Sequence, residues 1–390
     1  MIPREITSVL RHRLAQFPAV ALVGSRQCGK TTLARSLGGV YYDLEQQEER
    51  LRLDLDWPRL MDSAELLVLD EAQAWPTLFP RLRGAIDAER ERNGRFLLLG
   101  SVSPTLMRDV SESLAGRLAL LELTPLSLAE LPESARGLRW LLGGYPDGGV
   151  LESGRSFPVW QSNYLSLLAQ RDLPAWGLPA APQTTERLLA MLAAVQGQEW
   201  NASAVGKGLA LSYHTVNGYL DHLEGAFLIR RLPAYHGNIR KRLVKRPKLH
   251  WRDSGLLHAS LQIADGAALL RHPMVGASWE GFVVDQLLTA LEQAGCAFRA
   301  HHLRTADRRE IDLVLQFPAA PATKRPETWA IEAKLTASPH PEDLARLNAV
   351  ADLIGAHRRI LVTHSGQCME GERAAVGSLG DWVDWILDNA

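Results

Sequence analysis

The run Gly24-Ser-Arg-Gln-Cys-Gly-Lys30-Thr31 constrains this chain more than any other feature. It fits G-x-x-x-x-G-K-[ST] and lies between the apolar run Ala19–Val23 and a helical pattern over Lys30–Leu37. A strand, a glycine-bounded loop and a helix in that order turn successive backbone N–H groups toward one point. The positive end of the helix is aimed at the same point. Gly24 and Gly29 let the backbone curl, Lys30 has the reach for the outer phosphates of a nucleotide, and the Thr31 hydroxyl suits Mg²⁺. Gly24, Ser25, Arg26, Gln27, Cys28, Gly29, Lys30, Thr31 and Thr32 are therefore the candidate nucleotide contacts.

The first third of the chain alternates short apolar runs with amphipathic ones. Strands are expected at Ala19–Val23, Val40–Asp43, Leu66–Leu69, Phe96–Gly100 and Leu118–Leu123. Helices are expected at Lys30–Leu37, Glu45–Leu53, Leu78–Arg92 and Pro104–Leu114. That alternation predicts an α/β domain with a parallel sheet covered by helices. The strand Leu66-Leu-Val-Leu ends in Asp70-Glu71. At the C-terminal end of a parallel strand, Asp70 would stand beside the phosphate loop as an oxygen ligand for Mg²⁺. Glu71 would then be placed to orient or deprotonate an attacking water. Ser101, after Phe96–Gly100, is a candidate contact to the outermost phosphate or the water. Arg117 is a candidate source of positive charge for the transition state, from this chain or a neighbour.

Beyond about Pro125 the pattern turns helical. Two helical stretches, Asn201–Gly208 and Ser212–Leu223, are joined by a tight turn and followed by candidate strands Phe227–Leu232 and Lys248–Trp251. That is the build of a helix-turn-helix with a wing. The net charge of the chain is only −1, yet Arg230–Trp251 holds eight Lys/Arg and no acid. Arg240, Lys241, Arg242, Lys245, Arg246 and Lys248 thus form a candidate phosphate-contact surface for DNA, within the basic stretch 238–252.

From about Ala277 a long helix leads into strands Ala297–Leu303, Glu310–Gln316 and Trp329–Lys334, then a helix over Pro341–Val350 and a strand over Arg359–Thr363. Asp312 sits among apolar neighbours, and Glu332 and Lys334, two apart, point to one face. Asp312 and Glu332 are candidate metal ligands, Lys334 a candidate charge stabiliser, and Glu280 on the preceding helix a further carboxylate. The same acids and lysine also read as charges on half-exposed strands. The three cysteines, Cys28, Cys296 and Cys368, are too scattered for a disulfide framework. No apolar run has the roughly 18–20 residues of a membrane span, and the first residues lack a signal-peptide pattern. Together these point to a cytoplasmic protein without a membrane partner.

Taken together, these motifs resemble the bacterial and archaeal AAA-family ATP-binding proteins that end in a domain of unknown function with a restriction-endonuclease-like core. The carriers are the phosphate loop, Leu69-Asp-Glu-Ala-Gln73, Gly100-Ser101, Leu114-Ala-Gly-Arg117, Leu123-Thr-Pro-Leu-Ser127, Gly143-Gly-Tyr-Pro146 and Arg171-Asp-Leu173. Further along they are Asn238-Ile-Arg-Lys-Arg242, Pro247-Lys248, Asp253-Ser-Gly-Leu256, Glu310-Ile-Asp312 and Ile331-Glu-Ala-Lys334. The resemblance implies a P-loop NTPase domain over 1–130 with strand order 5-1-4-3-2. It implies a helical, winged-helix middle over 131–262 and a restriction-endonuclease-like α/β domain over 263–390. ATP and Mg²⁺ are the implied cofactors, with Lys30, Thr31 and Asp70 at the nucleotide and metal, Glu71 in hydrolysis, Ser101 as γ-phosphate sensor and Arg117 as a finger. The expected activity is ATP hydrolysis coupled to binding of nucleic acid or a partner, with a homo-oligomer as one form of partner. A metal-dependent nuclease carrying a regulatory ATPase, and a nucleotide-gated interaction protein with an inert nuclease-like domain, are the alternatives. Cys28 stands where an aliphatic residue is usual and Ser25 where proline is usual. A thiolate at Cys28, stabilised by the helix end, would be open to oxidation.

Overall fold

The structure, a computed structural model, describes residues 2–100, 114–152, 154, 156–237 and 243–390. Five short strands, β1 (Ala19–Val23), β2 (Val40–Asp43), β3 (Leu67–Asp70), β4 (Phe96–Gly100) and β5 (Leu118–Glu122), assemble in the order β2-β3-β4-β1-β5. This is the expected order 5-1-4-3-2, and every pairing is parallel. Alternate side chains go to opposite faces. Val20, Leu22, Val68, Leu97 and Leu99 pack with Leu10 and Leu14 of the helix Thr7–Gln16 and with Leu33 of the helix Lys30–Ser36. Ala21, Val23, Leu67, Leu69, Phe96 and Leu98 pack with the helices Gln47–Asp62 and Leu78–Ala88 through Leu53, Leu60, Phe79, Leu82 and Ile86. Both faces are covered, so the strands read as unbroken apolar runs rather than alternating ones. Each buried leucine contributes roughly 1.5–3 kcal/mol, which makes the sheet a rigid base for the loops at its edge.

The expected helix Glu45–Leu53 runs instead over Gln47–Asp62. Its apolar face is thin: Leu53 and Leu60 are buried, but Leu51 and Leu55 face solvent. That spacing obscures the helical period past Leu53. The expected helix over Pro104–Leu114 lies, apart from Leu114, outside the described residues.

The middle of the chain is helical. Helices Pro182–Ala194, Ala202–Leu209 and Tyr213–Gly225 share one core with the antiparallel pair β6 (Ile229–Leu232) and β7 (Lys248–Trp251). Asn201 and Ser212 cap the second and third of these helices, accepting from the N–H groups of Ala204 and Thr215. The last part is built on a six-stranded mixed sheet. Its strands are β8 (Arg299–Arg304), β9 (Glu310–Phe317), β10 (Glu327–Lys334), β11 (Arg358–Thr363), β12 (Met369–Glu370) and β13 (Ala374–Ser378), in the order β12-β13-β11-β10-β9-β8. The long helix Val275–Gln293 and the final helix Leu379–Asn389 cover one face. β12, β13 and the final helix have no counterpart in the sequence reading. Among the described residues no helix is long and apolar enough to cross a membrane.

Two distant sequence motifs meet inside the middle region. Asp253 caps the helix Ser254–Ser260 through Leu256 N–H and also accepts the Gly144 N–H at 2.7 Å. This draws Gly255 against the backbone of Leu142, where a Cβ would lie 2.1 Å from the Leu142 oxygen. Gly255→Ala is expected to destabilise the protein by about 1–3 kcal/mol through overpacking, read as a lowered urea midpoint.

Candidate functional site

The loop after β1 has the conformation that its glycines permit. Gly24 (φ +152°) and Gly29 (φ +105°) both adopt backbone angles that side chains resist. At Gly24 space is also short, since a Cβ would lie 2.1 Å from the Leu123 oxygen. Gln27 is left-handed as well, at φ +62°. Lys30, the first helical residue, is buried, and its ammonium donates to the Gly24 oxygen (3.0 Å) and the Ser25 oxygen (2.9 Å). The loop thus closes around the ammonium and keeps it beside the helix N-terminus.

β3 delivers the acids. Asp70 Oδ2 accepts from Thr31 Oγ1 and from the Tyr41 hydroxyl, each at 2.7 Å. Its other oxygen accepts the Glu71 N–H at 2.9 Å. Thr31 and Asp70 therefore converge as a pair of oxygen donors, the ligand type Mg²⁺ selects, so these residues fit that ion. Glu71 is left-handed (φ +49°), a strained position for a non-glycine residue, and its carboxylate accepts from the Gln73 side chain. Burial pushes the Glu71 carboxyl above its ordinary range, against the pull of Gln73 and Lys30, while Asp70 and Glu45 push the same way as burial.

The remaining candidates fall differently. Ser101 lies outside the described residues; β4, which precedes it, ends beside β1, with Gly100 opposite Val23. Arg117 is not brought to the loop. It precedes β5, whose first residue pairs with Ala19 at the start of β1, and so sits at the opposite edge of the sheet. Five residues of strand separate the two edges by about 15 Å. There Arg117 forms a two-pronged pair with Asp87, Nε and Nη2 each 2.9 Å from a carboxylate oxygen. Cys28 is fully buried, which closes the expected route to its oxidation.

Sequence reasoning missed the groups that hold the loop from outside. Arg26 donates to Asp172 at 2.9 Å, and Asp172 Oδ1 also accepts Arg171 Nε at 2.9 Å. The Tyr164 hydroxyl donates to the Arg26 oxygen at 3.0 Å, and its ring lies against Tyr145. From the other side Arg4 donates to the Cys28 oxygen (2.9 Å), the Thr124 oxygen (2.6 Å) and Glu130 (3.0 Å). Glu130 is buried and also accepts from Gln293, near the end of the helix Val275–Gln293. The Gly143–Pro146 and Arg171–Leu173 motifs pointed here, but nothing in them specified the loop as their target.

The basic stretch is divided. Lys245 and Arg246 are exposed, whereas Arg240, Lys241 and Arg242 lie outside the described residues. Lys248 is not a surface cation: it is buried, with Nζ 2.7 Å from Glu280 and 3.5 Å from Asp312. Arg252 is also turned inward, donating to Glu122 at the end of β5 and lying 4.0 Å from Asp285. Burial opposes the charge on both, but the surrounding carboxylates raise both pKa values.

Asp312, Glu332 and Lys334 are brought together. Asp312 Oδ2 accepts the Ala333 N–H at 2.9 Å, and Glu332 pairs with Lys334 at 2.9 Å. Burial and the Asp312 charge push Glu332 up to about 7. Among the described residues no group of three or more His, Cys, Asp or Glu side chains is disposed to hold a metal ion. The expected ligands Asp312 and Glu332 do not fit one: a lysine ammonium stands on Asp312 and Glu280, and another on Glu332.

Loop, lysine and strand-end carboxylate on this parallel sheet define a P-loop ATPase-type protein. Residues 16–132 match the family described as AAA domain, while residues 137–266 and 275–379 match two domains of unknown function, DUF8612 and DUF4143. The chain is 36% identical over 362 residues to the uncharacterized proteins Rv2008c of Mycobacterium tuberculosis and Mb2031c of Mycobacterium bovis. The alignment covers 91% of this chain and 80% of each relative. The chain belongs to the family of these mycobacterial proteins. The solved structure of a Walker-type ATPase of Pyrococcus abyssi shares the fold, with a TM-score of 0.50 at 16% identity, over 67% of this chain and 96% of that one.

Arg4→Ala would strand the buried Glu130 carboxylate, and the expected loss of stability is about 3–5 kcal/mol, read from urea denaturation. Arg4→Lys should recover little, because one ammonium lacks the guanidinium's reach to three acceptors.

Proposed function

We propose that the protein binds ATP with Mg²⁺ at the loop Gly24–Thr32 and hydrolyses it, and that nucleotide state is passed to the helical middle. One observation carries this reading. The Lys30 ammonium is held at the loop mouth beside a Thr31–Asp70 oxygen pair, with Glu71 next in line. The loop N–H groups and Lys30 would bind the phosphates, with the ammonium exchanging its two carbonyl partners for phosphate oxygens. Thr31 and Asp70 would hold Mg²⁺, which when bound neutralises charge on the outer phosphates. Glu71 would accept a proton from the attacking water, returned to solvent when the site reopens. Arg26 is the means of coupling: it belongs to the loop, yet its side chain and its oxygen are bound by Asp172 and Tyr164.

For the partner, the helix pair with the β6–β7 hairpin supports a winged-helix reading, and exposed Lys245 and Arg246 support contact with DNA phosphates. The mixed sheet carrying Asp312, Glu332 and Lys334 supports a restriction-endonuclease-like fold, and their ion-paired state favours an inert domain over a nuclease. Arg117, at the far edge of the sheet, would contribute charge only to a neighbouring molecule.

Lys30→Ala should weaken ATP binding by about 1.5–3 kcal/mol, roughly ten- to more than a hundredfold, by calorimetry. Unchanged affinity would defeat the proposal. Glu71→Gln should keep binding and slow phosphate release by about 10²-fold or more. The raised Glu71 pKa has a further consequence. The base form exists only above that pKa, so wild-type turnover should fall on acidification at a higher pH than an ordinary carboxylate would give. The residual activity of Glu71→Gln should lack that acid limb. Neutralising Arg240, Lys241, Arg242, Lys245 and Arg246 together should flatten the dependence of log DNA affinity on log salt by up to about four units. Absence of DNA binding by the wild type at low salt would leave a protein partner as the reading.

A further inference from the structure

We propose that Lys248 is the resident cation of the carboxylate pocket formed by Glu280 and Asp312, and that this pocket is a socket joining the C-terminal domain to the β6–β7 hairpin rather than a site for a divalent ion. The inference is independent of ATP hydrolysis.

Lys248 comes from β7 and reaches across to carboxylates of two other elements, the helix Val275–Gln293 and β9. Its side chain is 2% exposed. Divalent Mg²⁺ or Ca²⁺ needs carboxylate oxygens at about 2.0–2.6 Å on several sides. The Lys248 ammonium stands 2.7 Å from Glu280 and 3.5 Å from Asp312, so it fills the position from which both would be ligated. An ion and the ammonium exclude each other by volume and by charge. Two further acid oxygens nearby are engaged as well. Asp312 Oδ2 takes the Ala333 N–H, and Glu332 Oε1 takes Lys334, while Glu332 Oε2 is buried without a hydrogen-bond partner.

Nor is Lys248 free to swing aside. The Pro247 oxygen accepts the Trp200 N–H at 2.7 Å, the Leu249 N–H donates to the Gln198 oxygen at 3.0 Å, and the Leu249 oxygen accepts the Gly197 N–H at 2.7 Å. One residue further back, the Arg246 oxygen lies 2.8 Å from the His302 ring in β8. The backbone on both sides of Lys248 is therefore tied down, and the ammonium is delivered to the acids as a fixed part of the fold.

The test counts Mn²⁺ bound to the full-length, nucleotide-free protein by electron paramagnetic resonance. Wild type and the isosteric Asp312→Asn should bind the same number of ions, and Mn²⁺ should not make the wild type nick plasmid DNA. Lys248→Met, which keeps the length and removes the charge, should gain one ion over the double variant Lys248→Met/Asp312→Asn. One more ion in the wild type than in Asp312→Asn, or nicking lost in Asp312→Asn, would overturn the proposal, as would a folded Lys248→Met that gains none. The comparison of wild type with Asp312→Asn decides the matter even if Lys248→Met fails to fold.

Discussion

The buried carboxylate of Glu130 is the interaction on which the arrangement around the phosphate loop depends. A carboxylate taken out of water costs several kcal/mol unless it is paired and its oxygens are satisfied. Here the partners come from three separate parts of the chain. Arg4 and the Glu5 N–H come from the N-terminal segment, the Ser127 N–H from its own turn, and Gln293 from the long C-terminal helix. Arg4 spends its other two donors on the Cys28 and Thr124 oxygens. One desolvated charge thereby fixes the loop's outer wall, the segment after β5 and the C-terminal domain relative to one another. A shift of the loop on nucleotide binding cannot leave this network unaffected, because the Cys28 oxygen belongs to it.

The opposite side of the loop is held by a different kind of contact. Arg26 is partly exposed, and it shares Asp172 with Arg171. Two guanidinium groups on one carboxylate oxygen repel each other. That arrangement binds less firmly than Arg4 on Glu130 and is easier to redistribute when a polyanion arrives. The loop is thus clamped rigidly toward the C-terminal domain and adjustably toward the helical middle. This asymmetry favours Arg26 over Arg4 as the route of the proposed coupling.

The P-loop domain is legible because its information is local. A strand, a loop of fixed spacing and a strand ending in Asp-Glu each occupy a few consecutive residues, and the parallel sheet follows from their alternation. What was not legible is long-range. Arg4 and Glu130 are 126 positions apart, and Lys248 and Asp312 are 64 apart. No periodicity marks such pairs, and a lysine in a basic run looks the same whether it faces water or a buried carboxylate. From sequence Lys248 therefore reads as surface, as its neighbours Lys245 and Arg246 are, whereas the fold buries it. Arg117 is a different case: its motif is recognisable, but its distance from this chain's own loop depends on where β5 begins, which the motif does not specify.

Asp70 and Asp312 show why strand position alone does not make a metal site. Both are buried acids on strands, with the side chain accepting one backbone N–H, and both would be read as ligands from sequence. Their remaining oxygens meet different chemistry. Asp70 meets the hydroxyls of Thr31 and Tyr41, neutral groups that either join a cation's shell or turn away from it at small cost. Asp312 meets an ammonium held in place by its own backbone. A hydroxyl leaves the carboxylate's charge available to an incoming ion, whereas an ammonium, here shared with Glu280, opposes that charge and occupies the ion's place. The first acid is therefore poised for a cation and the second is satisfied without one. The difference lies wholly in which side chain the rest of the fold brings opposite.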